Sequence, residues 1–237
     1  MTDLSALLDI QTHDTATDQL QHRRASLPER DELVTIAAEE KALDAELADA
    51  RTRRHDLERQ ERRFEDEATL IEDKATSEQA KLYSGEVNAM KELQALQAEI
   101  ASLKRRQGDL EDEAIALMEL IEPVDAELEV LADRATSLAN RRADAEKRLA
   151  ETEAEIDAKS ATVLAEREQL ASSLGADLLQ TYEKVRADQG GVAVSRLVNG
   201  TCDGCHLGLS AVELDRVKHE PPDALVYHDE CGRILVR

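Results

Sequence analysis

The sequence predicts a mainly α-helical protein, a long antiparallel coiled-coil helical hairpin followed by a small C-terminal domain with short β-strands. Three observations carry this reading: a heptad seam that holds its phase for most of the chain, a near absence of aromatic residues, and a Cys/His cluster confined to the last 36 residues. Of 237 residues only Phe64, Tyr83, Tyr182 and Tyr227 are aromatic, and 35% are charged. Nine Gly and 4 Pro leave few turns. That balance suits long exposed helices burying a narrow apolar stripe.

The first arm carries Ile36, Leu43, Ala50, Leu57, Phe64 and Ile71 every seven residues, with Leu47 and Ala68 at intervening positions. Ala25-Ser26-Leu27-Pro28-Glu29 breaks it, with Ser26 or Leu27 near the cap and Pro28 in the first helical turn. Leu82-Tyr83-Ser84-Gly85-Glu86-Val87-Asn88 supplies the hairpin turn, since Gly accepts φ > 0 and Ser and Asn can cap. The second arm is the stronger. From Leu93 to Leu170, alternating steps of three and four visit 23 positions, of which 18 are apolar. A 3.5-residue repeat of that length keeps one stripe facing a partner. Pro123 falls inside this seam without shifting its phase, so a kink or helix restart is expected there. Folding about residue 85 or 86 pairs residues whose numbers sum to about 171, so that Phe64 faces Gln107, Leu57 faces Ala114, Ala50 faces Ile121 and Leu43 faces Leu128. Leu170 then lies beside the N-terminus. The same seam could instead pair between two chains as a dimer.

The hairpin is expected over residues 1–174 with its turn near 83–88, a connecting helix and linker over 175–191, and the small domain over 192–237. In the linker, Gly175 precedes an amphipathic helix bearing Leu178, Leu179, Tyr182 and Val185, which Gly190 and Gly191 close. Val192 to Val198 reads as a strand bounded by the Asn199-Gly200 turn. Ser210-Ala211-Val212-Glu213 is a capping-box pattern opening a helix. Ile234-Leu235-Val236 is expected to pair with Leu225 to Tyr227 or with Val192 to Val198.

Cys202-Asp203-Gly204-Cys205 is followed, after twenty-two residues, by His228-Asp229-Glu230-Cys231-Gly232. Two intervening residues let both ligands of a knuckle turn toward one ion, Gly204 and Gly232 are expected to permit the tight backbone, and two knuckles complete a tetrahedron. Three thiolates and an imidazole suit one structural Zn²⁺, and four protein ligands leave no open position for substrate. A domain of 46 residues with one aromatic also needs such a staple. The predicted ligands are Cys202, Cys205, His228 and Cys231, making the domain a zinc ribbon; His206 and Asp229 are the alternatives at the fourth position.

Leu82-Tyr83-Ser84-Gly85, Lys91-Glu92-Leu93, Leu110-Glu111-Asp112, Cys202-Asp203-Gly204-Cys205-His206 and the ending Cys231-Gly232-Arg233-Ile234-Leu235 together resemble a bacterial family of coiled-coil hairpin proteins with a C-terminal C4-type zinc ribbon. The resemblance covers nearly the whole chain. It implies four zinc-binding cysteines, three of which fall on Cys202, Cys205 and Cys231, while His228 stands where the family has its third. It also implies a non-enzymatic adaptor or chaperone. Some family members are linked to flagellar or type III secretion and an alternative sigma factor, and nucleic-acid binding is proposed for others.

The net charge of −22 is unevenly spread: residues 192–237 hold 5 Lys/Arg and 7 Asp/Glu, so −20 of it lies in the preceding helical part. A chain this acidic repels nucleic acid and anionic lipid as a whole, so such binding needs a local basic patch. Candidate contacts are a band of Arg59, Arg62, Arg63, Lys104, Arg105 and Arg106, which the expected register draws together, and the ribbon residues Arg196, Arg216, Lys218, Arg233 and Arg237. No stretch approaches 18 consecutive apolar residues, and Met1 to Ser5 lacks a basic, apolar leader. The expectation is a cytoplasmic interaction protein with a protein partner and no membrane role, with nucleic-acid binding as the alternative. A zinc hydrolase or deaminase fits worst, because no His-x-Glu with Pro-Cys-x-x-Cys accompanies the cluster.

Overall fold

The computed structural model describes residues 4–221 and 224–237. Five helices and three strands follow in order: α1 (Ser5–Ala25), α2 (Pro28–Tyr83), α3 (Met90–Ser172), α4 (Ala176–Asp188), β1 (Val194–Val198), β2 (Thr201–Cys202), α5 (Ala211–His219) and β3 (Ile234–Val236). Helices α2 and α3 form the long hairpin, and the strands make a small sheet ordered β2-β1-β3. Two compact units divide the chain, Glu32–Ala145 on one side and Met1–Asp31 with Glu146–Arg237 on the other.

In the first of these units the seam is a row of small and branched residues. Ile36, Leu43 and Ala50 of α2 bury against Leu131, Leu138 and Ala145 of α3. Ion pairs flank that core: Arg141–Glu39 and Arg134–Glu46 at 2.7 Å, and Arg53–Glu127 at 2.8 Å. The numbers in each of these pairs sum to 180, not to the expected 171. At the turn the Lys74–Glu99 pair sums to 173, as the gap between Tyr83 and Met90 requires. The stem is thus offset by nine or ten residues from the predicted register, so Ala50 joins Leu131 rather than Ile121, and Leu43 joins Leu138. On a seam of alternating three- and four-residue steps a slip of about ten residues again sets apolar positions against the seam, so hydrophobic spacing is blind to it. The charged flanks distinguish the registers.

Helix α3 runs through Pro123 without a restart, one of the two outcomes expected there. Proline removes only its own donor, and Val124 on the next residue is buried in the seam, so packing carries the helix across the lost bond. At the tip, Gly85 takes φ 77°. The Ser84 hydroxyl accepts from the Glu86 N–H, and the Asn88 amide donates to the Gly85 carbonyl, as turn chemistry anticipates.

The second unit has its core where α1, the end of α3, α4 and the sheet meet. Leu4, Leu7, Ile10, Ala171, Tyr182, Ala193, Val194 and Ile234 bury together, with Leu170 packed against them beside the N-terminal helix. Sequence reasoning missed the polar part of this junction. Leu7, Ile10, Asp14 and Thr17 share the buried face of α1. Asp14 accepts from the Tyr182 hydroxyl at 2.7 Å and from Arg167 Nε at 3.1 Å, while Arg186 pairs with Asp18 at 2.6 Å. Burial and the Asp14 carboxylate push the Tyr182 hydroxyl well above its ordinary range. Burial opposes the charge of Arg167, yet the hydrogen bonds it donates to Asp14 and Glu183 hold its pKa above the usual value. Gln11 brackets Val194, donating to its carbonyl at 2.8 Å and accepting its N–H at 2.7 Å. This satisfies the start of β1 from a helix side chain, in the way a neighbouring strand would.

Candidate metal centre

Strand β1 turns into β2 through Asn199 (φ 51°) and Gly200 (φ 79°), the pair of left-handed residues a type I′ hairpin needs. Leu197 then pairs with Cys202, and β3 lies parallel on the other side of β1 with Val194 opposite Ile234. Tyr227 also bridges to Ile234, so both pairings expected for β3 occur. The parallel crossover is long enough to contain α5. Ser210 caps that helix, accepting the Glu213 N–H at 3.2 Å. Glu213 itself reaches the second knuckle, where it accepts the Asp229 N–H at 2.8 Å.

Two knuckles of the same backbone design face one another. In the first, the His206 N–H donates to the Cys202 carbonyl at 2.8 Å and the Cys202 N–H to Leu207 at 3.0 Å. In the second, Gly232 donates to His228 at 2.7 Å and His228 to Arg233 at 2.9 Å. Position 228 is therefore the structural counterpart of position 202. The left-handed residue of each knuckle is the one after its second ligand: His206 at φ 61° and Gly232 at φ 67°. The expected role of Gly204 is corrected accordingly. Gly204 has no positive φ; a Cβ there would stand 2.0 Å from the Ser195 hydroxyl, so it is needed for close approach.

The ligand atoms of Cys202, Cys205, His228 and Cys231 all lie within 4.8 Å of one another. His228 Nδ1 is 3.3 Å from Cys205 Sγ and 3.1 Å from Cys231 Sγ. Zinc–sulfur bonds of about 2.3 Å and a zinc–nitrogen bond of about 2.0 Å give tetrahedron edges of roughly 3.5–3.8 Å, so these donors can close around a single ion. His206 is exposed, and Asp229 is turned outward into an ion pair with Arg216 at 2.6 Å, so neither alternative joins the cluster. Burial pushes the Cys202 thiol up, but the Cys205 N–H, the Ser195 hydroxyl and the Gly204 N–H bring it below its usual value. Burial and the neighbouring thiols push Cys205 the other way. Such a cluster favours a cation that turns every thiol into thiolate.

The basic candidates fare differently. Arg59, Arg62 and Arg63 pair along their own helix with Asp56, Glu58 and Glu67. The register places Arg62 and Arg63 opposite residues near 114, roughly 13 Å along α3 from Arg105. The expected continuous band is therefore split. Among the described residues, Lys104, Arg105 and Arg106 make no ion pair within 4 Å and line a shallow hollow with Gly108, Asp109 and Asp112. In the ribbon, Arg216 pairs with Asp229, Arg233 donates to the Val192 carbonyl, and Arg237 closes α5 by donating to Val217 and Glu220. Arg196 and Lys218 are exposed.

A long two-helix hairpin carrying a four-ligand ribbon defines a class of coiled-coil zinc proteins, and sequence comparison names the family. The chain belongs to the CT398-like coiled-coil hairpin family, whose domain matches residues 10–190, and a C4-type zinc ribbon domain matches residues 201–235. It is 32% identical over 232 residues, 98% of this chain and 94% of theirs, to uncharacterized proteins from two strains of Mycobacterium tuberculosis. Among solved structures, a Mycobacterium smegmatis protein superposes with a TM-score of 0.86 at 24% identity over 100% of both chains. CT398 from Chlamydia trachomatis gives 0.67 at 23% identity over 98% of this chain and 96% of that one. These likenesses establish the fold. Together with the donor set, the ribbon match indicates one structural zinc.

Proposed function

We propose that the chain is a non-enzymatic interaction protein, an adaptor whose hairpin presents its turn and flanks to a protein partner while the ribbon, folded around zinc, offers a second docking surface. In this reading Cys202, Cys205, His228 and Cys231 are the zinc ligands, and their number leaves no position for a substrate. The observation that carries the partner role is at the turn. Tyr83 and Met90, the last residue of α2 and the first of α3, are 77% and 71% exposed. A chain with four aromatic residues leaves one of them uncovered at the hairpin tip, and aromatic and Met side chains are favoured at interface cores. The test is capture from the native cell by the full chain and by a Tyr83→Ser/Met90→Ser variant, identified by mass spectrometry. The adaptor reading expects a specific protein, retained at moderate salt and lost with the variant. Identical captures by both chains would contradict it.

Lys104, Arg105 and Arg106, which form no ion pair among the described residues, favour a second reading, nucleic-acid binding through this short patch. Phosphate contacts release counterions, so affinity would fall steeply with salt. A flat or absent gel-shift response between low and physiological salt removes this reading.

A further inference from the structure

We infer that the Ser195 hydroxyl donates a hydrogen bond to the zinc-bound thiolate of Cys202, making Ser195 a positioning residue that sets how tightly the ribbon holds its metal. The inference rests on the assignment of Cys202 as a ligand. Ser195 is the second residue of β1 and is 1% exposed. Its Oγ is buried and makes no hydrogen bond of ordinary geometry. Buried hydroxyls almost always have an acceptor, because removing one from water uncompensated is costly.

The surroundings point to sulfur as that acceptor. Cross-strand bonds fix β1 against the first knuckle: the Arg196 N–H donates to Asp203 Oδ1 at 2.6 Å, and the Asp203 N–H donates to the Arg196 carbonyl at 3.0 Å. That clamp sets the neighbouring Ser195 side chain under the Cys202–Cys205 turn. The missing side chain of Gly204 makes room for it, since a Cβ there would lie 2.0 Å from the hydroxyl oxygen. Cys202 is itself fully buried. A thiolate on zinc keeps negative charge and free lone pairs, whereas the strand carbonyls around Ser195 are used in sheet pairing. A knuckle that excludes a side chain at 204 and admits a hydroxyl from the adjacent strand has the form of an outer-shell donor, a group that orients a ligand and tunes the ion it holds.

The test uses the full chain loaded with zinc or cobalt. Ser195→Ala should weaken zinc about tenfold in competition with a chromophoric chelator, within the range usual for outer-shell partners. It should also move the sulfur-to-cobalt charge-transfer band to lower energy, because an unbonded thiolate gives up charge more easily. Ser195→Thr, which keeps the hydroxyl, should keep the band of the parent. A purely structural hydroxyl predicts the reverse, since deleting an unpartnered buried group leaves zinc binding within twofold and the band unmoved. That result overturns the inference, as does a Thr variant whose band moves like that of Ala. Failure of the ligand assignment is distinct: it appears in the parent chain, as a cobalt spectrum lacking three thiolates.

Discussion

His228 presents Nδ1 to two cysteine sulfurs and leaves Nε2 buried without a hydrogen-bond partner. Metal-bound imidazoles usually donate their second N–H, so this ring is held by only half of its normal support. His228→Cys is therefore expected to keep zinc and bind it at least as tightly, read by chelator competition, whereas His228→Ala should lose it. His206 is a second strained residue, forced into left-handed backbone where the other knuckle has Gly232. His206→Gly should stabilise the zinc-loaded ribbon by about 1 kcal/mol in denaturant melts, the usual cost of that conformation for a residue with a Cβ. Asp14 is the largest single liability. Asp14→Ala leaves Arg167 and the Tyr182 hydroxyl without their buried acceptor and should cost about 3 kcal/mol by urea unfolding. Cys202, Cys205 and Cys231 announced themselves in the sequence by spacing, and His228 by symmetry with Cys202. Ser195 and Asp14 did not, because nothing local marks a polar residue as buried. The one available signal for Asp14 was its place on the apolar face with Leu7 and Ile10.

At the scale of elements, spacing revealed the arms, the break at Pro28, the Gly85 turn, the α4 linker and the Ser210 cap, since each depends on chemistry within a few residues. Register escaped it, because a seam of alternating three- and four-residue steps matches itself again after a slip of about ten residues and buries the same kind of side chain. The interhelical pairs Arg141–Glu39 and Arg134–Glu46 hold the information that the apolar stripe lacks. Crosslinking checks this directly. A Glu39→Cys/Arg141→Cys chain should form a disulfide on mild oxidation. A Glu39→Cys/Ala132→Cys chain, built for the register that sums to 171, should not, since its thiols would be roughly 13 Å out of step along the helix.

For the molecule as a whole, helical content and zinc dependence belong to different parts of the chain. The hairpin is held by its seam, while the ribbon buries Cys202, Leu209, Val217, Val226 and Leu235 around a cluster that needs its ion. Chelation should expose the three thiols to alkylation while far-UV circular dichroism changes little, because most of the signal comes from α2 and α3. No helix among the described residues is long and apolar enough to cross a membrane. The net charge of −22 resides mostly in the helices, so it constrains partners of the hairpin more than those of the ribbon. The central claim is that three sulfurs and one imidazole close around a single zinc, and X-ray absorption at the zinc edge of the purified full chain tests it most directly. The expected result is one zinc per chain with three sulfurs at about 2.3 Å and one imidazole nitrogen at about 2.0 Å. Fewer than three sulfurs, or an oxygen in place of the imidazole, would contradict it.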